Sequence, residues 1–281
     1  MAGRISNSFA LAKASGRVLM ADKELLVFPL VSGITSILVA ATFFVPGFLF
    51  GWLEAIAEGG PLGLAYVLGF LFYLAQYTVI FFFNTARVGA ALIRLEGGDP
   101  TVKDGLRIAF DRFGVIVEYA ALAATVGMVL RFISERAGFI GRLVIGLVGM
   151  TWTLATFMVV PVLVSKDVGP LDAVKESAGL LKRTWGEQVV GSMGMGLVTM
   201  LAFFSLLLFT VPAFLLAAPL GPLAVAGVAA VFVSGLVFLA LAASALNGIY
   251  AAAVYRYATT GEAGYGFDSR LLADAFVQKR R

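Results

Sequence analysis

Long apolar runs separated by short charged segments form the pattern of this chain. Six of the runs contain the roughly 20 residues that a helix needs to cross the hydrocarbon core of a bilayer. Only helices and closed barrels satisfy every backbone polar group inside a bilayer. The pattern therefore predicts an all-α, polytopic membrane protein. The predicted spans are approximately Leu25–Phe50, Leu64–Leu92, Phe113–Phe132, Ile140–Val164, Val189–Leu216 and Pro222–Tyr255.

The composition supports this prediction and narrows the chemistry. Hydrophobic residues make up 60% of the chain and charged residues 14%, whereas a soluble domain carries about 25% charged residues. The sequence has no cysteine and no histidine, which removes thiolate metal sites and imidazole catalysis. We therefore expect no metal, no cofactor and no enzymatic activity.

The distribution of lysine and arginine predicts the orientation. With a cytoplasmic N-terminus, 18 of the 21 basic residues lie in inner segments, and Arg131, Arg136 and Arg142 are the three outer ones. This excess predicts cytoplasmic N- and C-termini in a prokaryotic inner (plasma) membrane. The net charge of +4 lies in short membrane-flanking loops, so we expect the lipid bilayer and no nucleic acid as partner.

An internal similarity recurs along the chain. Segment 102–105 (Val-Lys-Asp-Gly) aligns with 174–177 (Val-Lys-Glu-Ser), and an aromatic residue followed by glycine comes eleven residues after each valine. These aromatic residues are Phe113 and Trp185. Segment 12–15 (Ala-Lys-Ala-Ser) is a weaker third copy. Each copy predicts a short amphipathic helix lying along the membrane interface, with Phe113 or Trp185 at headgroup depth.

The apolar positions predict how these helices face their surroundings. In the segment that begins at residue 102, the residues on one face at helical spacing are Val102, Leu106, Ala109, Phe110 and Phe113. In the last copy, Val174, Ala178, Leu181 and Trp185 do the same. Lysine and arginine occupy the other faces.

An interfacial helix followed by two spans is therefore predicted to occur three times in a single transmembrane domain. The repeat units are about 4–98, 99–169 and 170–261, followed by a cytoplasmic tail at 262–281. Two spans per unit make the repeats parallel, with an axis along the membrane normal, and place all three short helices on the cytoplasmic side. The alternative is that amphipathic linkers resemble one another because they meet the same physical demands.

Longer motifs carry a family resemblance. The segments Asp22–Gly33, Phe82–Leu106 and Pro161–Glu187, together with the tail segment Gly266–Phe276, resemble an uncharacterised family of six-span prokaryotic integral membrane proteins. That family is distantly similar to the membrane domain attached to some glycerophosphoryl diester phosphodiesterases. The resemblance implies a six-span fold but no activity, because the phosphodiesterase activity belongs to a separate soluble domain. At Glu118 the family pattern implies a small residue instead.

Three polar residues in the spans are the main candidate site. The repeat aligns Asn84 with Asn247 and places Thr156 at the equivalent position of the fourth span. Such a level could form a polar constriction along a pathway. The alternative is that these side chains make hydrogen bonds between packed helices.

Charged and aromatic residues near the span ends supply further candidates. Glu118 is the only acidic residue inside a predicted span. It either handles ions or protons, or reaches lipid headgroups or Arg112 at the interface. Lys182 and Arg183 are predicted to contact anionic lipid headgroups, although they also serve as topology determinants.

These features favour a channel or passive permease lined by the Asn/Thr level. The alternative is a non-catalytic membrane organiser, or a scaffold that binds lipid or a partner protein through its cytoplasmic helices. Small residues at every fourth position of the last span allow close helix packing, within the bundle or in a homo-oligomer. These positions are Ala240, Ser244, Gly248 and Ala252.

Overall fold

The computed structural model describes residues 2–51, 54, 62–183, 188–262 and 264–267, and side chains within 9–51, 54, 63–182, 196–262 and 264–267. All regular structure in these ranges is helical. Short 3-10 helices at Lys23–Leu26 and Ala218–Leu220 supplement the α-helices. In chain order, the α-helices are α1 (Ala2–Ala21), α2 (Val27–Leu49), α3 (Leu62–Leu95), α4 (Val102–Asp111), α5 (Phe113–Arg136), α6 (Phe139–Ala155), α7 (Val159–Ser165), α8 (Pro170–Arg183), α9 (Gln188–Ala217) and α10 (Pro222–Thr260).

Six helical stretches in the described residues are long and apolar enough to cross a membrane. They coincide with the six predicted runs, so the prediction of an all-α, polytopic architecture is confirmed. Large apolar side chains are exposed along them, including Phe48, Phe139 and Leu223 at 80%, 85% and 88%, as a surface facing acyl chains requires. The stretches are Lys23–Leu49, Gly63–Leu95, Phe113–Arg136, Phe139–Ser165, Gly196–Leu220 and Pro222–Thr260.

A shorter helix recurs along the chain before each pair of spans. One short helix precedes each pair of spans: α1 precedes α2 and α3, α4 precedes α5 and the α6–α7 pair, and α8 precedes α9 and α10. This is the order that the repeat units demand. The repeat itself stays a prediction.

The chain folds into two compact units. The first contains Met1–Leu26, Leu92–Asp99 and Thr184–Arg281, and the second contains Val27–Ala91 and Pro100–Arg183. In the first unit, α1 packs against α9 and α10. Its contacting face consists of small and apolar residues at helical spacing, so that burial of this face holds the short helix to the spans. The buried residues are Leu11, Ala14, Ser15 and Val18.

In the second unit, each short helix packs against the spans that precede it. Helix α8 contacts α5, α6 and α7. Helix α4 lies against α2 and α3, because Gly105 approaches Phe28 and Ala86 while Ile108 touches Gly89. The short helices are therefore tied to span ends by direct side-chain and backbone contact.

The fourth span is broken rather than continuous. Helix α6 ends at Ala155 and α7 begins at Val159, with Pro161 in the first turn of α7. Proline has no N–H to donate to the carbonyl four residues earlier, and its ring collides with that carbonyl in a regular helix. The fourth span therefore has a three-residue interruption at 156–158, directly before the turn that contains Pro161.

Burial is concentrated where the short helices meet the spans. In α10 it is confined to the last third, from Ala245 to Tyr255. Helix α6, by contrast, has no buried residue, whereas α7 is buried from Val159 to Leu163. Tight packing, and with it most of the packing contribution to stability, thus lies at the span ends that contact the short helices.

We expect Gly105→Ala to destabilise the protein. A β-carbon at position 105 would lie 2.5 Å from Phe28 Cζ and 2.6 Å from Ala86 O, so the helix must move away from the spans. Overpacking of this kind costs about 1–3 kcal/mol, and the melting temperature in detergent should fall. The matched control is Gly146→Ala, whose β-carbon would meet no atom within 4 Å. Equal melting temperatures for the two variants would contradict the close approach of α4.

Candidate functional site

Helix α8 presents a buried face to the spans and a charged face to its surroundings. On the exposed face, Lys175 Nζ forms an ion pair with Asp172 at 2.9 Å, and Lys182 is exposed as well. Positions i, i+4, i+7 and i+8 share one side of a helix, which explains the composition of the opposite face. The buried residues are Ala173, Ser177, Leu180 and Leu181.

A residue on the buried face of α8 satisfies a backbone donor inside the interruption of the fourth span. The backbone N–H of Met158 lies inside the interruption, and it donates a hydrogen bond of 3.0 Å to Ser177 Oγ. Both residues are fully buried. A buried backbone donor without a partner is costly, so Ser177 stabilises the interruption and fixes the position of α8 along the span.

Helix α4 begins with a complete capping box. Thr101 Oγ1 accepts from the backbone N–H of Asp104 at 3.2 Å, and the Asp104 carboxylate accepts from the backbone N–H of Thr101 at 2.9 Å. These hydrogen bonds satisfy two orphan donors of the first turn. The side-chain and backbone hydrogen bonds from Thr101 lower the pKa of Asp104. The start of α4 is therefore fixed by local chemistry.

The structure divides α4 into three sectors. Gly105 and Ala109 are buried against the spans, and Lys103 and Arg107 are exposed. Phe110, on the predicted apolar face, is 64% exposed. Small residues permit close approach to the spans. Phe110 touches the Phe82 ring of α3, with 4.9 Å between ring centroids, and the exposed part of its side chain remains available to the bilayer interface.

Burial and charge follow one register in the three short helices. The aligned positions Ser15, Gly105 and Ser177 are all buried. The aligned lysines, two residues earlier in each helix, are all exposed, and Arg17 and Arg107 are exposed four residues after their lysines. Each short helix therefore turns a small residue toward the spans and a base away from them. The three lysines are Lys13, Lys103 and Lys175.

Ion pairs join the short helices of the second unit to the segment after α7. Arg112, at the end of α4, pairs with Asp167 at 2.7 Å. Lys166, directly after α7, pairs with Glu176 of α8. The two pairs fix the segment between α7 and α8 at both of its flanks.

A second ionic cluster organises the first unit around Arg94. Its Nε lies 2.9 Å from the Asp22 carboxylate, and its Nη1 donates to Gly98 O at 3.0 Å. Its guanidinium also stacks over the Tyr265 ring at 5.0 Å. Burial raises the pKa of the Asp22 carboxyl, while the Arg94 charge acts in the opposite direction. Arg94 therefore compensates a carboxylate that is largely removed from water.

Arg256 forms the other half of this cluster. It lies 3.4 Å from Glu96 and 3.5 Å from Glu262, and the backbone N–H of Tyr265 donates to Leu95 O at 2.9 Å. The end of α3, the end of α10 and the segment after α10 are thus joined within the first unit.

The structure places the predicted polar level in two different units. Asn84 and Thr156 belong to the second unit and Asn247 to the first. Asn84 Oδ1 accepts from Arg87 at 2.5 Å, and Thr156 Oγ1 donates to Trp152 O at 2.8 Å and to Thr153 O at 3.3 Å. Asn247 is exposed on α10. The side chains of Asn84 and Thr156 thus form hydrogen bonds within their own helices, and the polar level stays a prediction.

The remaining candidates lie near the start of the third span or outside the described residues. Glu118 is exposed on α5, while Arg112 pairs with Asp167 instead. Phe113 is 46% exposed at the start of α5. Trp185 lies outside the described residues, as does the side chain of Arg183.

Sequence reasoning missed the burial of Arg87, which it counted as a basic residue of an inner segment. Arg87 lies within α3 and is only 8% exposed. A buried cation in a span is rare and is usually paired. The available signal was the i, i+3 spacing of Asn84 and Arg87 inside an apolar run.

An aromatic seam along α3 was also missed. Tyr73 stacks on Tyr77 at 6.1 Å, and Tyr77 stacks on Phe81 at 5.7 Å. Phe81 in turn contacts Tyr119 of α5, with 4.5 Å between ring centroids. The spacing of four residues between these α3 side chains was the readable signal. The seam leads from Tyr73 on α3 to Tyr119 on α5.

We expect Arg94→Gln to destabilise the protein strongly. The side chains of Arg94 and Asp22 are only 18% and 7% exposed, so the variant leaves a largely buried carboxylate without its counter-charge. Breaking such a pair costs roughly 3–5 kcal/mol, and the melting temperature in detergent measures the loss. Asp22→Asn in the same chain should restore part of the stability.

The matched control is Arg112→Gln. Its partner Asp167 is 97% exposed, so water replaces the lost contact and the cost is about 1 kcal/mol or less. An equal loss for both arginine variants would contradict the special role of the Asp22–Arg94 pair.

Comparison with known proteins identifies the family. No curated protein and no solved structure matches this chain. The model of one family, described as a family of unknown function (DUF6159), matches residues 63–266. The match runs from the start of α3 past the end of α10 and includes five of the six candidate spans. The chain therefore belongs to this family of unknown function, DUF6159.

Proposed function

We propose that this protein is a non-catalytic membrane organiser that holds anionic lipid headgroups against its three short helices. The observation that carries this proposal is the shared register of α1, α4 and α8. The lysine of each aligned segment is exposed, and the small residue two positions later is buried against the spans. The spans thus hold α1, α4 and α8 with their basic side chains exposed. We call this arrangement the cationic display.

The charges of the display are available to a ligand. In the described part of the chain, Lys13, Lys103, Arg17 and Arg107 form no ion pair, whereas the bases at the span ends do. Lys175 pairs only with Asp172 on its own helix, and both side chains are exposed. Each basic residue near an anionic surface contributes about 1 kcal/mol of attraction. The exposed Phe110 adds an apolar contact to the same interface, as in other amphipathic interfacial helices.

The proposal places the three helices on one side of the membrane. Two spans separate each short helix from the next, so the chain returns to the same side of the membrane before each short helix. The excess of lysine and arginine in these segments assigns them to the cytoplasmic face of a prokaryotic inner membrane, together with both termini.

We expect the triple variant Lys13→Gln, Lys103→Gln, Lys175→Gln to lose anionic-lipid enrichment. Lipids copurified in detergent from membranes containing phosphatidylglycerol and phosphatidylcholine would be quantified by mass spectrometry. The ratio of phosphatidylglycerol to phosphatidylcholine bound to the wild type should exceed the ratio in the bulk membrane at low salt. It should fall as salt is raised, because screening weakens surface electrostatics. The variant should return to the bulk ratio.

The matched control is the triple lysine-to-arginine variant, which keeps the charge and should keep the enrichment. If the glutamine and arginine variants retain equal enrichment, the lysines do not recruit lipid. Enrichment that is insensitive to salt would also contradict an electrostatic display.

Cysteine labelling tests the orientation, because the chain contains no cysteine of its own. Leu220→Cys, at a position 76% exposed between the last two spans, should react with a membrane-impermeant maleimide on intact cells. Lys175→Cys should react only after the membrane is opened. Reversed labelling would overturn the cytoplasmic placement of the display.

A channel or passive permease is the second candidate. The observation in its favour is the aromatic seam of Tyr73, Tyr77, Phe81 and Tyr119 in the second unit, in which three of the four side chains carry a hydroxyl. Asn84 would add a polar group to α3. Solute flux across proteoliposomes that Thr156→Val reduces would support this candidate, and flux no greater than in protein-free vesicles would remove it.

The resemblance to the membrane domain attached to some glycerophosphoryl diester phosphodiesterases fits the organiser proposal. A membrane domain of that kind would bring lipid headgroups to a soluble partner. The partner would bind the same cytoplasmic helices, and a homo-oligomer would multiply the display. Crosslinking of the full chain in its native membrane tests both associations.

A further inference from the structure

A groove opens between the start of α3 and the end of α5, both within the second unit. Its volume is about 250 Å³. Apolar and aromatic groups form most of its wall, and a tyrosine hydroxyl, a guanidinium and a carboxylate stand at one side. The main lining residues are Tyr66, Gly69, Tyr73, Arg131, Phe132 and Glu135.

The groove lies at the membrane interface far from the short helices. Arg131 follows Phe113, the first residue of α5, by 18 positions, which corresponds to about 27 Å along a helix. The hydrocarbon core of a bilayer is about 30 Å thick. The charged side of the groove therefore lies near headgroup depth, and the apolar part lies beside the acyl chains.

Opposite charges are held side by side in the groove. Arg131 Nε donates to Glu135 Oε1 at 2.8 Å, and Arg131 Nη1 donates to Tyr73 Oη at 2.9 Å. The side chains of Arg131 and Glu135 are 66% and 56% exposed. A guanidinium has five N–H donors and a carboxylate has two oxygens, so both groups keep hydrogen-bonding capacity for a ligand.

We propose that this groove binds an aminophospholipid of the outer leaflet. The lipid phosphate would accept hydrogen bonds from Arg131, and its primary ammonium would donate to Glu135. The adjacent apolar wall of Tyr66, Gly69 and Phe132 would take the upper part of one acyl chain. A typical ligand pocket has about 300–1,000 Å³, so the smaller groove holds one part of the lipid while the rest stays in the bilayer.

Charge complementarity selects this headgroup over the two common alternatives. A phosphatidylglycerol headgroup offers a phosphate to Arg131 but no cation to Glu135. A phosphatidylcholine headgroup has a cation without an N–H, so it cannot donate a hydrogen bond to the carboxylate. Arg136, whose guanidinium stacks on the Phe132 ring at 3.6 Å, adds a second cation beside the groove, so selection against phosphatidylglycerol depends on the contact between the ammonium and Glu135.

The groove shares no residue with the three short helices, so lipid binding in the groove can be tested separately from the cationic display. The full chain in detergent would be titrated with phosphatidylethanolamine, phosphatidylglycerol or phosphatidylcholine, and bound lipid would be counted by native mass spectrometry. The ethanolamine lipid should bind about fivefold more tightly than the other two, the range of an exposed charge pair. Equal affinity for all three lipids, or preference for phosphatidylglycerol, would overturn the proposal.

Two charge variants assign the roles. Glu135→Gln should abolish the preference for phosphatidylethanolamine over phosphatidylcholine, and Arg131→Gln should weaken both. The matched control is Arg142→Gln, which removes another outer base that lies outside the groove and should leave the preference unchanged. A preference that survives Glu135→Gln would contradict the ammonium contact.

A steric variant keeps the test informative if the charge variants prove unstable. A β-carbon at Gly69 would meet no atom within 4 Å, so Gly69→Leu extends a side chain into the groove from a position with room for its first carbon. It should abolish selective binding at an unchanged melting temperature. Gly146→Leu places the same side chain on an open face of α6 and should bind as the wild type does. Selective binding retained by a stably folded Gly69→Leu protein would overturn the groove assignment.

Discussion

The close approach of the short helices to the span ends is the contact on which the other features depend. Gly105 lies so near Phe28 and Ala86 that no β-carbon fits, and Ser177 reaches the backbone of Met158 through its hydroxyl. Only small residues permit such proximity. Because this face is fixed, the opposite face of each helix is fixed as well, and the exposed lysines follow from it.

The basic side chains of this protein have two different roles. The bases at the ends of the second, fourth and sixth spans, Arg94, Lys166 and Arg256, are each paired with an acid, and they hold the segments that connect or follow the spans. The lysines that share one register on the short helices point away from the spans. Among them Lys13 and Lys103 form no ion pair in the described residues, whereas Lys175 pairs with the exposed Asp172 on its own helix.

The two ends of the spans differ in packing, and the proposed interactions differ with them. At the end near the short helices, small and apolar residues are buried and basic side chains are exposed, so this end can attract an anionic surface. Toward the other end, apolar side chains such as Phe139 are exposed, and the Arg131–Glu135 pair offers both signs of charge in an open groove. A bilayer with unlike leaflets would be contacted differently on its two sides.

The sequence by itself determined the six spans, because bilayer thickness sets the length of an apolar run and each run can be read locally. It also predicted the register of the three aligned lysines, since helical spacing decides which residues share a face. It placed Ala109 and Phe110 on one apolar face, and Phe110 contacts Phe82 of α3, but it did not predict that Gly105 faces the spans, nor that Arg87 is buried. The tertiary structure alone decided which groups meet across long separations, such as Arg131 with Tyr73 and Arg112 with Asp167. These contacts depend on how helices pack, and the spacing of residues along one helix carries no information about its neighbour.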